Sequence, residues 1–151
     1  MTDLLSDEHR AAIGASETSE PVAIARRDIV KYAIATEQRL ERYRRGDEAP
    51  PMFLFGLFRP LVDLSRLQPD GLAADPLLPD LPLRRTMAGG TKVACRRPIR
   101  AGDVLTATRT LVDISERRGR SGPLIFVVYE TRVEDEAGGL VAVETQTRIA
   151  R

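Results

Sequence analysis

Little in this chain invites redox or nucleophilic chemistry. Its 151 residues contain one cysteine, Cys95, which excludes an internal disulfide and fits a reducing compartment. Cys95 falls inside an apparent strand, where an inert buried thiol is expected. Histidine also occurs once, as His9. Imidazole is the group best poised to move protons near neutral pH, so acid–base chemistry has few places to reside. Lysine is confined to Lys31 and Lys92, leaving nearly all positive charge to arginine. That usage fits either Arg forks that grip phosphate or carboxylate or a GC-rich genome. A formal net charge of +1 gives no global argument for nucleic acid or acidic membranes. The main apolar run, Met52 to Phe58, is far below the roughly 20 residues that cross a bilayer. Met1 to Arg10 is acidic and polar, without the apolar core of a signal peptide. The expectation is a soluble, cytoplasmic protein with no metal, no cofactor, and no nucleic-acid or membrane partner. No repeat or low-complexity tract is visible.

A hydrophobic fraction of 42% with 30% charged residues describes one ordinary globular domain over residues 1–151, large enough to bury a core. Residues 1–12 read as a weak helical turn or a loose terminus. The organising stretch is Ala49-Pro50-Pro51-Met52-Phe53-Leu54-Phe55-Gly56-Leu57-Phe58-Arg59-Pro60-Leu61-Val62, which holds three of the four Phe residues. Pro-Pro fits a helix entry, and Gly56 suggests the close approach of another backbone or a ligand. The stretch is expected to form a short central helix over about residues 51–62, apolar all round and wrapped by a sheet.

Before it, residues 13–20 read as a loop and residues 21–24 as a short strand. Ile29, Val30, Ala33 and Ile34 recur at helical spacing from about Arg26, with Leu40 continuing the stripe. Gly46-Asp47-Glu48 ends that helix. Residues 63–90 carry Pro69, Pro76, Pro79 and Pro82, with Asp70-Gly71 and Gly89-Gly90 as further punctuation. A connection of that length is unusual unless it covers something; at most one short strand, near residues 83–85, is expected there. After Thr91 the pattern becomes β. Val104, Thr106, Thr108, Thr110, Val112 and Ile114 mark one face of a long strand, residues 124–133 form the next, and Val141, Val143, Thr145, Thr147 and Ile149 form one face of the last. Helices in the first half and an antiparallel meander in the second make the class α+β. The open edges of such a sheet are commonly managed by dimer formation.

Five pieces then carry a resemblance. They are Ile13-Gly14; Pro21-Val22 with Ile29 and Tyr32-Ala33-Ile34-Ala35-Thr36; Ala49-Pro50-Pro51-Met52-Phe53; Arg97-Pro98-Ile99-Arg100-Ala101-Gly102-Asp103; and Asp113-Ile114-Ser115-Glu116-Arg117-Arg118-Gly119-Arg120-Ser121-Gly122-Pro123-Leu124-Ile125-Phe126-Val127. In this order and spacing, over about residues 13–151, the sequence resembles the MaoC-like N-terminal dehydratase domain of the hot dog superfamily. The resemblance implies a hot dog fold and membership among hydratases and dehydratases of acyl thioesters. Their chemistry adds or removes water next to the thioester carbonyl, with an acid or base near the β-carbon and a donor for the developing enolate oxygen. In the family's catalytic branch an Asp and a His sit in a Gly-Asp-x-Asn-Pro-x-His-like loop before the central helix.

Here Thr36 is followed by Glu37-Gln38-Arg39-Leu40-Glu41-Arg42-Tyr43-Arg44-Arg45-Gly46-Asp47, without a histidine. The usual dyad cannot form, and no catalytic residue is assigned. Glu37 and Glu41 are either acid–base substitutes or members of a solvated ion-pair face. Arg117, Arg118 and Arg120 either bind phosphates of a nucleotide or pantetheine arm or form a charged hairpin tip, and Arg96, Arg97 and Arg100 raise the same question. Phe53, Phe55 and Phe58 are core, tunnel wall, or both. The candidate substrate-binding set is Pro51, Met52, Phe53, Phe55, Gly56, Arg118 and Arg120. The resemblance implies a non-catalytic subunit of a heteromeric enoyl-thioester hydratase or 3-hydroxyacyl-thioester dehydratase. Its partner would be a catalytic MaoC-like chain, in a heterodimer or a dimer of heterodimers. The ligand would be a bulky fatty-acyl or steroid side-chain thioester of coenzyme A or acyl carrier protein. The other reading is a degenerate acyl-thioester-binding or regulatory module without turnover.

Overall fold

Alternating apolar residues in the second half of the chain build four long strands. They are β3 (Thr86–Cys95), β4 (Val104–Gly119), β5 (Gly122–Asp135) and β6 (Leu140–Ala150). The computed structural model describes residues 4–69 and 71–151. Two short strands, β1 (Ser16–Thr18) and β2 (Val22–Ala23), pair with β4. The described strands form one antiparallel sheet in the order β1-β4-β5-β6-β3, with β2 also on β4. Asp135 closes the β5–β6 hairpin by accepting hydrogen bonds from the N–H groups of Ala137 and Gly139, at 3.1 and 2.8 Å. The arginine Arg97 bridges Asp135 and Asp103 at 3.2 and 2.8 Å, tying that hairpin to the turn before β4.

The sheet buries one face, and its core falls into two clusters. At one end, Leu105, Ala107, Val133, Val141 and Ala142 pack with Ile24, Ile99 and Ile29. The last lies on α2 (Arg26–Ala35), whose buried residues are Ile29 and Ala33. At the other end, Leu111, Ile114, Ile125, Val127 and Tyr129 pack with Leu5 and Leu77. The long irregular connection therefore does cover something: Leu77, Leu78, Leu81 and Leu83 roof this second cluster. Residues 4–12 join them, including α1 (Asp7–Ala11). Ser6 and His9 form a capping box there, and Leu5 and His9 are buried.

Several expectations need correction. The central helix over residues 51–62 is not formed. A 3-10 turn, Pro51–Leu54, is followed by successive i→i+3 turns, Leu57 N–H to Leu54 O and Arg59 N–H to Gly56 O. Gly56 adopts φ +84°, which an α-helix cannot use, and Pro60 disfavours helical geometry at the residue before it. The preceding helix ends at Ala35, because Glu37 takes φ +52° and reverses the chain, with the Gln38 N–H bonded to Ala33 O. A separate single turn, α3 (Glu41–Arg44), follows, and Leu40 is exposed. Residues 16–18 are strand, not loop, since their backbone groups find β4. β3 begins at Thr86 and runs through Gly89-Gly90 as a bulge. At Gly89 a Cβ would come within 2.9 Å of Thr147. Cys95 ends that strand exposed. A second bulge, between Leu111 and Asp113, turns Ile114 onto the buried face, so it does not share a face with Val104–Val112.

Candidate functional site

Thr36 to Glu48 is the segment in which the family resemblance places an acid–base pair. Three of its four carboxylates, Glu41, Asp47 and Glu48, are committed to arginines. Arg26 reaches Asp47 at 2.6 Å and Arg45 reaches it at 2.9 Å. Arg45 also lies 3.6 Å from Glu41, and Glu48 meets Arg42 at 3.3 Å and Arg100 at 3.5 Å. The Arg26 hydrogen bond holds the Asp47 carboxyl below its usual range. Glu37 is exposed. His9 lies elsewhere, on α1, where Nδ1 accepts the Ser6 N–H at 3.0 Å and Nε2–H donates to Asp80 O at 3.1 Å. Both ring nitrogens are engaged in holding the N-terminal turn to the roof of the second cluster.

The candidate binding residues divide into two groups. Phe53 is buried and meets the Tyr32 ring edge-on, with centroids 5.6 Å apart. Met52 and Phe55 remain 42% and 46% exposed, and Arg59 stacks over Phe55 at 5.2 Å. Pro51 and Gly56 are exposed. Arg118 and Arg120 are exposed at the β4–β5 tip, where Arg117 stacks on Phe126 at 4.7 Å. Phe53 packs with Leu105, whereas the tip begins at Gly119, at the other end of β4. At about 3.3 Å per residue the separation along that strand is roughly 45 Å. The chain does not bring the two groups together.

Sequence reasoning missed a polar band that crosses the buried face between the two apolar clusters. Cross-strand partners share a face, and pairing aligns Glu17, Arg109, Thr131, Glu144 and Val93 across β1, β4, β5, β6 and β3. Asp75, from the long connection, reaches down to this band. Its carboxylate accepts the Tyr129 hydroxyl at 2.6 Å, Arg109 Nη2 at 2.8 Å and Arg148 Nη1 at 3.3 Å. Arg109 also pairs with Glu17 at 2.7 Å. The two guanidinium groups stack on the Tyr129 ring, 4.8 and 5.3 Å from its centroid. Burial first, and the neighbouring Asp75 carboxylate second, push the Tyr129 hydroxyl well above its ordinary pKa. This cluster is fully satisfied and serves to pin the connection to the sheet.

Glu144 is different. Its Oε1 is buried and has no hydrogen-bond partner among the described residues. Burial raises its pKa above 4.5, opposed by the Arg59 charge. The signal for the band was the recurrence of Arg109, Glu144 and Arg148 at positions in register with Leu105, Val133 and Ala142. Following the Val/Thr face of β4 and β6 concealed it. No group of His, Cys, Asp and Glu suited to a metal ion occurs among the described residues, and no described helix is long and apolar enough to cross a membrane.

A family model for the FAS1-like, dehydratase domain region matches residues 11–144. Among curated proteins the chain is similar to mesaconyl-C(4)-CoA hydratase of Chloroflexus aurantiacus, 32% identical over 79 residues. That match takes in 52% of this chain and only 28% of the relative's length. Among solved structures, the HadBC complex of Mycobacterium tuberculosis, a 3R-hydroxyacyl-ACP dehydratase, superimposes with a TM-score of 0.67 at 17% identity, covering 99% of this chain and 98% of the other. The ChsH1-ChsH2 complex of the same organism gives 0.67 at 14% identity, covering 93% and 85%. At such identities the structures establish the hot dog fold.

Proposed function

The chain belongs to the FAS1-like dehydratase domain family, and from that premise we propose that it is the non-catalytic, pocket-shaping subunit of a heteromeric enoyl-thioester hydratase or 3-hydroxyacyl-thioester dehydratase. The observation that carries the reading is the segment from Thr36 to Glu48: it holds no histidine, and Glu41, Asp47 and Glu48 are ion-paired with Arg26, Arg42, Arg45 and Arg100. Addition of water to the C2–C3 double bond needs a group to take a proton from water and another to deliver one to C2. A catalytic MaoC-like partner would supply that pair.

The partner's place is suggested by β3. It is the outermost strand on its side of the sheet, and nearly every residue along it is exposed. An unpaired edge of this kind is a template for another chain, and two structural neighbours are themselves complexes of hot dog chains. Met52, Phe55 and Leu61 are exposed apolar side chains on the segment that would otherwise be the central helix, and Leu64, just beyond it, is exposed too. They suit the wall of a pocket for a bulky acyl chain, fatty or steroid, with Pro51, Phe53 and Gly56 shaping it. Arg118 and Arg120 are assigned to phosphates of the coenzyme A or acyl-carrier arm, in a part of the assembly distant from Phe53. A second reading, an acyl-thioester-binding or regulatory module without turnover, draws on the tightly roofed face over Leu111 and Tyr129.

Co-expression and co-purification with a catalytic MaoC-like hot dog protein, followed by an enoyl-CoA hydration assay, separates these readings. Activity that appears only on mixing supports the subunit, and binding without activity supports the module. Turnover by the isolated chain at a rate typical of the catalytic branch refutes both.

A further inference from the structure

A buried carboxylate oxygen without a donor loses its water and gains nothing in return, a net cost to the fold. Such atoms are rare enough in folded chains that each calls for a reason. Glu144 Oε1 is one. The side chain stands on the buried face of β6, two residues from Ala142 of the first apolar cluster, with Thr131 opposite it on β5 and Val93 opposite it on β3. Neither Thr131 nor Gln146 gives it a hydrogen bond, and Arg59 acts on it only through its charge, with no ion pair within 4 Å among the described residues. An apolar residue at 144 would extend the first cluster without this cost. The carboxyl is therefore placed for something the isolated chain does not contain.

Two features define that missing group. It must offer a hydrogen to an acceptor oxygen, and it must fit beside an apolar neighbour, since Val93 stands opposite Glu144 on β3 and packs against the first cluster. Glu144 is also one strand from the exposed edge, about 5 Å inward, so a ligand bound where a second chain adds to β3 comes within its reach. A hydroxyl on an otherwise apolar chain meets both requirements. Resting on the reading above, we propose that Glu144 is a substrate-positioning residue that accepts a hydrogen bond from the C3 hydroxyl of a 3-hydroxyacyl thioester.

The test compares 3-hydroxydecanoyl-CoA with decanoyl-CoA by calorimetry, using the full chain alone and in its co-purified complex. A hydrogen bond to a charged acceptor separates the two ligands by about tenfold or more. The wild type is expected to show that preference. Glu144→Leu should abolish it while holding decanoyl-CoA as before, and Glu144→Gln, which keeps an acceptor without the charge, should retain part. Melting curves of both variants report whether they fold. Equal affinity for the two ligands in the wild type overturns the role of Glu144 while leaving the acyl-thioester reading intact. A Leu variant that folds yet loses both ligands equally overturns it too. No binding of either ligand, alone or in the complex, overturns the acyl-thioester reading itself.

Discussion

Replacing Asp75 by asparagine should loosen the whole connection between residues 59 and 85 without disturbing the sheet beneath it. The carboxylate takes hydrogen bonds from Tyr129, Arg109 and Arg148, and one from its own Leu77 N–H at 3.1 Å. Removing one partner of a fully buried ionic cluster costs about 3–5 kcal/mol, because the remaining charges are left unpaired. Here the side chains of Asp75, Arg109 and Arg148 are 15%, 22% and 33% exposed, so water recovers part of the loss. A cost of about 2–3 kcal/mol is expected. For a chain of this size that corresponds to a fall in melting temperature of roughly 5–10 °C. Tyr129→Phe removes one hydrogen bond and no charge, and should cost about 1–1.5 kcal/mol. The assay pairs urea denaturation with limited proteolysis, which should cut the Asp75→Asn protein within residues 67–85 far faster than wild type. A loss under about 0.5 kcal/mol, as for a surface pair, with unchanged proteolysis, would show that Leu77 and its neighbours hold the connection unaided.

The Tyr129 hydroxyl titrates later in the folded chain than in the unfolded one. The unfolded state thus releases its proton first, and stability should fall as pH rises above about 10; Tyr129→Phe should flatten that limb in melts between pH 9 and 11. Glu144 has a raised folded pKa for a different reason, burial beside a single opposing charge on Arg59. Its ionisation therefore subtracts stability as pH climbs through and beyond 4.5. Glu144→Gln should melt higher than wild type at pH 7, with the gain vanishing toward pH 4; a gain that grows on acidification would contradict the burial argument. Glu37, at φ +52°, is conformationally strained by about 1 kcal/mol or more. Glu37→Gly should keep or raise stability and leave hydration by the reconstituted pair unchanged, and a loss of turnover would restore Glu37 as an acid–base candidate.

Period-two patterning made β4, β5 and β6 legible because each buries a single face, and Ile29 with Ala33 marked the one sizeable helix among the described residues. What escaped depended on single backbone geometries. An apolar stretch as continuous as Met52–Phe58 satisfies a helix pattern at every position, and only the left-handed turn at Gly56 decides against it. Gly89-Gly90 carries the usual mark of a loop, yet close contact with Thr147 makes it part of a strand. The missing histidine was plain to read, since an absence needs no coordinates. The Asp75 cluster was not, because its members are separated by as many as 73 residues along the chain, and no local pattern joins a proline-rich connection to arginines on two strands.

Cys95 ends the outermost strand with its thiol in solvent, and it has no competitor anywhere in the sequence. A maleimide dye will therefore couple at one spot, beside the seam where a companion chain is expected to dock. Fluorescence from that probe turns assembly into a titratable optical reading, free of any need for substrate.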